Sequence, residues 1–216
     1  MGLTQELLNW TYEQRCQKAV ESLKKNGFTA VYCKTRKEAL DYIANEAKEA
    51  TTVGIGGSMT MAELKVADML TEMGKEILNH NAPNLSPEER MAVRRRQLTC
   101  DLFLCSTNAL TLTGSLVNVD GSGNRAAAMF FGPRKVIIVA GRNKIVGTVE
   151  EGLKRIKDYA APTNARRLNL PTPCAQTGFC MDCDSPNRIC RITTILEKKP
   201  MTTDIHVLVV NEDLGF

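Results

Sequence analysis

Aromatic residues make up only 5% of this 216-residue chain, with a single tryptophan. That is too few to interleave with basic residues as a base-stacking surface, so a nucleic-acid partner is set aside. Histidine is scarcer still: His80 and His206 are the full complement, and neither stands at a metal-site or catalytic-triad spacing. No apolar run approaches the ~20 residues of a membrane-spanning helix. Residues 1–6 lack the basic start and apolar stretch of an export signal. Glu6 stands where N-myristoylation requires Ser or Thr. Internal repeats and low-complexity tracts are missing as well. These absences predict a cytoplasmic protein with no membrane span.

What is present suits one α/β domain with an appendage. Apolar content of 43% and charged content of 24% lie near the globular norm, which argues against disorder. A net charge of +4 is too mild to name a partner. The one dense basic run, Arg94-Arg95-Arg96, falls in a helical stretch with Glu88, Glu89 and Arg90 nearby, and reads as a solvated helix face rather than a phosphate patch.

Helices and strands alternate along the chain. Leu7, Leu8, Ala19, Val20 and Leu23 recur at helical spacings before a stop at Asn26-Gly27, and a short strand follows over residues 28–33. Thr35-Arg36-Lys37-Glu38 and Thr60-Met61-Ala62-Glu63 read as capping boxes, and Ser86-Pro87 as a third helix start. Strands are expected over residues 52–55, 76–78, 102–105, 115–118, 136–140 and 205–210. A helix over residues 149–159 should end before Pro162. The pattern predicts a mainly parallel sheet covered by helices on both faces. Residues 162–190 break the rhythm, so the domain is assigned to 1–161 and 203–216, with 162–202 a cysteine-rich segment packed on it.

Four of the eight cysteines fall in that segment as Cys174-x5-Cys180-x2-Cys183-x6-Cys190. Four thiolates satisfy a tetrahedral zinc ion or the corners of an iron–sulfur cluster such as 4Fe–4S. Two disulfides or four packed thiols are the plain alternatives. A bound metal or cluster is favoured because thiols of a cytosolic protein are kept reduced. Cys16, Cys33, Cys100 and Cys105 lie apart in apolar stretches and read as core.

Two loops can hold an anion. Gly56-Gly57-Ser58 and Thr60 form a strand–glycine turn–helix, whose free amides and hydroxyls favour negative charge. It is neither a phosphate-binding Walker loop nor a full dinucleotide fingerprint, and a tight turn with a capped helix explains it nearly as well. Asn118, Asp120, Gly121, Asn124 and Arg125 crowd a second strand end, where α/β sheets place ligands. Arg125 suits a carboxylate or phosphate, Asn108 lies on the approach to that loop, and Lys144 leaves a third strand end as a further anion partner. Glu63 is explained by capping. No residue is identifiable as catalytic.

Gly56-Gly57-Ser58, the run Thr107-Asn108-Ala109-Leu110-Thr111 through Asn118-Val119-Asp120-Gly121-Ser122-Gly123-Asn124-Arg125, Phe131-Gly132-Pro133, Gly141-Arg142-Asn143-Lys144 and Ala161-Pro162-Thr163-Asn164-Ala165-Arg166-Arg167 resemble, in order, the LUD-domain proteins of lactate utilisation. Thr172-Pro173-Cys174 with the later cysteines, and Leu214-Gly215-Phe216, resemble a single-domain branch of that family. The resemblance implies a fold akin to ribose-phosphate isomerase, glucosamine-phosphate deaminase and the coenzyme A transferases. It further implies an anionic ligand of carboxylate, phosphate or coenzyme A type at the sheet edge. Iron–sulfur redox proteins are the implied partners, and self-association is compatible with it. The tandem ferredoxin-type cysteine runs of the larger lactate-utilisation subunit and a coenzyme A transferase glutamate motif are both absent. Three roles therefore stand: a ligand-binding accessory or enzyme of organic-acid metabolism, an electron-transfer or redox-sensing module, or an accessory protein with structural zinc.

Overall fold

The computed structural model of the protein describes residues 2–216. α1 (Leu3–Lys25), β1 (Thr29–Cys33), α2 (Arg36–Glu46) and β2 (Thr52–Ile55) follow in sequence. Next come α3 (Met59–Glu63), α4 (Val66–Glu72), β3 (Glu76–Asn79), α5 (Pro87–Gln97) and β4 (Leu102–Cys105). β5 (Ala109–Thr111), β6 (Leu116–Asp120), α6 (Asn124–Phe130), β7 (Lys135–Gly141) and β8 (Ile145–Val146) form the middle of the chain. α7 (Val149–Arg155), α8 (Ala161–Arg167), α9 (Pro173–Thr177), β9 (Ile192–Leu196) and β10 (Asp204–Val210) complete it. Thr35 caps α2 by accepting from the Glu38 amide at 3.3 Å. Ser86 and Glu89 close a reciprocal capping box on α5, with Pro87 supplying the preset φ of the first turn.

Six strands pair in parallel in the order β1-β10-β7-β4-β2-β3. Along β7 the side chains divide by parity. Val136, Ile138 and Ala140 enter one core with Leu23 of α1 and Met129 of α6, while Ile137 and Val139 enter the other with Ile43 of α2 and Leu70 of α4. A strand buried on both faces has no polar side to alternate with, which is why residues 136–140 are uniformly apolar. Each such Val or Ile contributes roughly 1.5–3 kcal/mol on burial. The fold class expected from the sequence, α/β with a parallel sheet between helical layers, is the one present.

Four details differ from the sequence reading. A second, smaller sheet in the order β8-β5-β6-β9 packs beside the first, with β6 antiparallel to both β5 and β9. Its strands are two to five residues long, too short for a period to show. Pro162 does not end the helix that precedes it. A π turn over Ile156–Ala160 carries α7 into α8, where proline occupies the first turn and its missing amide costs little. Ser58, not Thr60, caps α3, accepting from the Met61 amide at 3.4 Å and freeing Thr60 for another use. The segment 162–202 is more than a loop: it supplies most of α8, then α9 and β9, and β9 is the edge strand of the second sheet.

Gly54 in β2 faces Phe103 and Cys100. A Cβ there would lie 2.9 Å from a Phe103 ring carbon and 3.0 Å from the Cys100 sulfur. Both neighbours are core residues without room to retreat. Gly54→Ala should lower the unfolding free energy by about 1–3 kcal/mol, read as a reduced urea midpoint at unchanged slope; an unchanged midpoint would contradict this packing.

Candidate functional site

Four parallel strands deliver their carboxyl ends to one rim. β2 runs into Gly56-Gly57-Ser58, β3 into His80-Asn81, β4 into Ser106-Thr107-Asn108, and β7 into a 3-10 turn over Arg142–Lys144. This is the edge at which open α/β sheets take ligands, since helix starts and free strand-end amides converge there. A cavity of about 320 Å³ opens on it, of the size that small molecules occupy. Among the residues singled out from the sequence, Gly57, Ser58, Thr60, Asn108, Asp120, Gly121, Asn124, Arg125 and Lys144 line it.

Gly56 and Asn118 do not. Gly56 lies beneath the wall, where a Cβ would meet that of Cys105 at 3.2 Å and Arg125 Cγ at 3.5 Å, so its glycine makes room for the arginine stem. Asn118 is fully buried and donates from Nδ2 to the Met129 sulfur at 3.4 Å. Its Oδ1 has no partner.

Arg125 organises the wall. Nε donates to Asp120 Oδ1 at 2.8 Å, Nη1 to the Ser106 carbonyl at 2.9 Å, and Nη2 to Asn108 Oδ1 at 2.8 Å and the Val119 carbonyl at 3.1 Å. The other oxygen of Asp120 accepts from the Ala126 amide at 2.6 Å, and Asn108 Oδ1 also accepts from the Val119 amide at 2.9 Å. The guanidinium is thus largely engaged within the protein. Its flat fork suits this, because one group can satisfy a carboxylate, an amide oxygen and two carbonyls lying near one plane.

Lys144 is 3% exposed and, among the described residues, has hydroxyls rather than a carboxylate as its hydrogen-bond partners, although Glu63 is near enough to favour its charged form. Its Nζ donates to Thr60 Oγ1 and Ser106 Oγ, each at 2.9 Å. Burial, then the neighbouring cations Arg155 and Arg125, pull its pKa down to about 7. Thr60, released from capping, and the loop after β4 therefore hold an amine poised between its charged and neutral forms. Glu63, also released from capping, accepts from the Gly215 amide at 2.8 Å and so holds the C-terminal residues against this wall, where Phe216 lines the cavity.

Three contributors were not visible in the sequence. Arg90 and Arg94, four residues apart on α5, both line the cavity, and Arg94 Nε is buried with no hydrogen-bond partner. The solvated-face reading fits Arg95 and Arg96, which are exposed, Arg96 pairing with Glu76 at 2.6 Å. It fails for Arg94, because α5 turns that one arginine inward; the spacing Arg90-x3-Arg94 was the available signal. His80, at the end of β3, lines the cavity and is 5% exposed. His206 does not line it and is held by Tyr42 at 3.0 Å and Asp204 at 3.1 Å.

The four clustered cysteines are half-buried, free, and line a second, much smaller cavity of about 20 Å³ with Ala161, Pro162, Ala165, Met181 and Ile189. Cys190 also lines the larger cavity, as do Ala161 and Ile189. Arg188 ties the segment together, donating to the carbonyls of Cys190 and Cys183, each at 2.8 Å, and to Asp182 at 2.9 Å. Burial raises the Cys190 thiol, with Cys180, Cys174 and Cys183 near enough to add to the effect and Arg188 opposing it. Among the described residues no set of three His, Cys, Asp or Glu side chains is drawn close enough to hold a single ion. Zinc needs its sulfurs within ~2.3 Å of one point. Four thiols around a shared apolar cavity are a donor set of the type that holds zinc or an iron–sulfur cluster.

Lys144 gives a pH signature. Its native pKa lies below that of an unfolded lysine, so unfolding takes up a proton between about pH 7 and 10.5. The burial penalty is therefore full below pH 7 and fades as pH rises to 10.5. Lys144→Met should be more stable than wild type at pH 6 and converge toward it by pH 10, measured by urea unfolding across that range. A parallel pH dependence in both proteins would rule the assignment out.

The comparisons agree with this architecture. The LUD domain family model matches residues 16–210. No curated protein matches the chain. A DUF162 family protein from Deinococcus radiodurans, solved by crystallography at 1.70 Å, is similar with a TM-score of 0.55 at 19% identity, covering 92% of this chain and 98% of that one. At that identity the likeness establishes the fold. With 16–210 matched by its model, the chain belongs to the LUD-domain family.

Proposed function

We propose that this LUD-domain protein works in cytosolic organic-acid metabolism of the lactate type, binding an anionic small molecule in the sheet-edge cavity. The observation that carries the reading is the charge balance of the wall. Arg90, Arg94, Arg125, Arg167 and Lys144 line it, while its one acidic side chain, Asp120, is already paired with Arg125 at 2.7 Å. Cations that outnumber the acidic side chains of a partly desolvated cavity attract a carboxylate or phosphate. Gly57 and Ser58 at the start of α3 add small, polar surface to the same wall. Family membership supports the metabolic setting. The cytosolic assignment is supported by eight cysteines that are all free.

Cys174, Cys180, Cys183 and Cys190 would hold an iron–sulfur cluster, zinc being the alternative. All four line one small apolar cavity, and the family setting favours the cluster. When bound, a cluster supplies one-electron redox capacity beside the ligand, because Cys190 walls both cavities. The chain's own residues orient and charge-balance the anion there, and iron–sulfur redox proteins are the partners this reading implies.

Two experiments test these assignments. Arg94→Met removes the guanidinium whose Nε is buried without a partner and should weaken the binding of lactate or inorganic phosphate by about 10- to 100-fold, the range for hydrogen bonds to charged groups. Calorimetric titration of both proteins decides it, and equal affinities would refute the anion site. Iron, zinc and acid-labile sulfide are assayed on protein purified without oxygen. Iron and sulfide in equal amounts, near four per chain, are expected. One zinc without sulfide would reassign the cysteines to holding the segment in place, and no metal at all would overturn the metal site.

A further inference from the structure

His80 carries an inference that depends on its hydrogen-bond partner. Gln97 is buried on α5, and its Nε2 donates to two backbone carbonyls, Ile55 at 2.9 Å and Leu78 at 2.8 Å. Both amide hydrogens are thereby engaged, and neither contact survives if the amide is reversed, since carbonyls cannot donate. Gln97 Oε1 must therefore face His80 Nδ1, 3.2 Å away, as an acceptor. The hydrogen-bond network thus assigns the imidazole hydrogen to Nδ1 and leaves a lone pair on Nε2.

That lone pair stays open. Among the described residues no protein donor is hydrogen-bonded to Nε2. Gly57 keeps the approach clear: a Cβ there would stand 3.5 Å from Nε2. Burial first, then the charges of Arg94 and Arg90, lower the pKa of the ring, with Gln97 opposing them. The ring is neutral at physiological pH and Nε2 is an acceptor.

Most other acceptors on the wall are engaged. Asp120 receives Arg125 and the Ala126 amide, Asn108 Oδ1 receives Arg125 and the Val119 amide, Asn164 Oδ1 receives Arg167, and Ser58 Oγ receives the Met61 amide. The cavity is otherwise rich in donors, so it satisfies the oxygens of an anion readily and a donor on the ligand only at a few points.

We propose that His80 is the hydroxyl-recognising residue of this cavity, its Nε2 accepting from a hydroxyl of the anion, so that the site selects hydroxylated anions such as 2-hydroxy acids over their 2-oxo counterparts. The proposal rests on the anion-binding reading above and narrows it to a substrate class. A hydroxyl donates to the lone pair. A carbonyl oxygen at the same place can only accept, and it leaves Nε2 unpaired. Sites built around such a hydrogen bond discriminate strongly against analogues that cannot make it.

The test has two arms. With two histidines in the chain, long-range ¹H–¹⁵N correlation spectra of the free protein resolve His80 directly. The Nδ1–H tautomer is expected, and an Nε2–H tautomer overturns the proposal. Calorimetry then compares lactate with pyruvate. Wild type should favour lactate by about 10-fold or more, the expected cost of a buried acceptor left unpaired. His80→Ala should bring the two affinities within about 3-fold by losing lactate binding rather than gaining pyruvate binding. Should His80→Ala not fold, Gly57→Ala partly covers Nε2, its 2.9 Å contact being only with the tip of the exposed Asn81 side chain, and should shrink the preference. Equal affinities in wild type, or a preference that survives both changes, overturns the proposal. Binding of neither acid also overturns it. If inorganic phosphate then binds, the anion cavity stands without its hydroxyl selectivity; if phosphate fails too, the cavity reading falls with it.

Discussion

The arginine at position 125 ties the two sheets together at the rim, beyond the apolar core that Leu110, Leu116, Ile145 and Leu196 of the small sheet share with Phe103, Val136 and Ile138 of the large one. Its guanidinium touches the carbonyl after β4 in the large sheet and the Asn108 side chain before β5 in the small one. It also reaches the carbonyl and the carboxylate at the end of β6. Its backbone begins α6, whose next amide donates to that same carboxylate. The pair with Asp120 is largely shielded, with side-chain exposures of 13% and 11%. A buried ion pair is a poor source of net stability, since desolvation offsets most of the attraction. What this one supplies is position: removing either partner strands a charge, so the two sheets meet in one arrangement. The rim of the cavity is where they meet, and Gly56 is small because the stem of Arg125 passes over it.

The same joint extends to the cysteines. β9 pairs with β6 in a register that sets Ile192 against Asp120, and the Arg191 amide donates to the Asp120 carbonyl at 3.0 Å. Cys190 is thus fixed one residue beyond a hydrogen bond to the residue that anchors Arg125. Gly121 lets the Ile189 backbone approach, since a Cβ there would lie 3.3 Å from it. The cysteine-rich segment is therefore built into the wall of the larger cavity, through strand pairing rather than surface packing. A metal group held by the four thiols and an anion held in the cavity, as proposed, would be coupled through the same short stretch of backbone.

How much of this the sequence discloses depends on the range of the interaction. The parallel sheet is legible because residues 136–140 are apolar on both faces, and 205–210 are so apart from His206, a local property of each strand. The helix start at Ser86 is legible because a capping box is closed within four residues. Thr60 and Glu63 misled for the same reason. They have the spacing of a capping box, but a longer-range need, Lys144 for the threonine and the Gly215 amide for the glutamate, draws them elsewhere. The glycine loop and the 118–125 loop were identified as candidate sites, and the fold does bring both to one rim. His80 and Arg94 could not be found that way. Their roles come from partners 17 residues away, and from which side of α5 faces inward. The histidine's role has no local pattern, and the arginine's has only the Arg90-x3-Arg94 spacing.

The cavity's chemistry also bears on its stability. Lys144 is buried against two hydroxyls instead of a carboxylate, and Arg94 Nε lacks a partner altogether. Such groups lower the stability of the free protein, because a desolvated charge without a counter-charge is costly. Natural folds keep features of this kind where a ligand relieves them. An anion seated among these cations would restore what burial removed, so its binding energy is in part the repulsion it cancels. The depressed pKa of Lys144 works in the same direction, for an arriving anion favours the charged amine and draws a proton in with it. Anion binding, as proposed, and proton uptake at this rim would therefore be linked by the same excess of cations over acidic side chains.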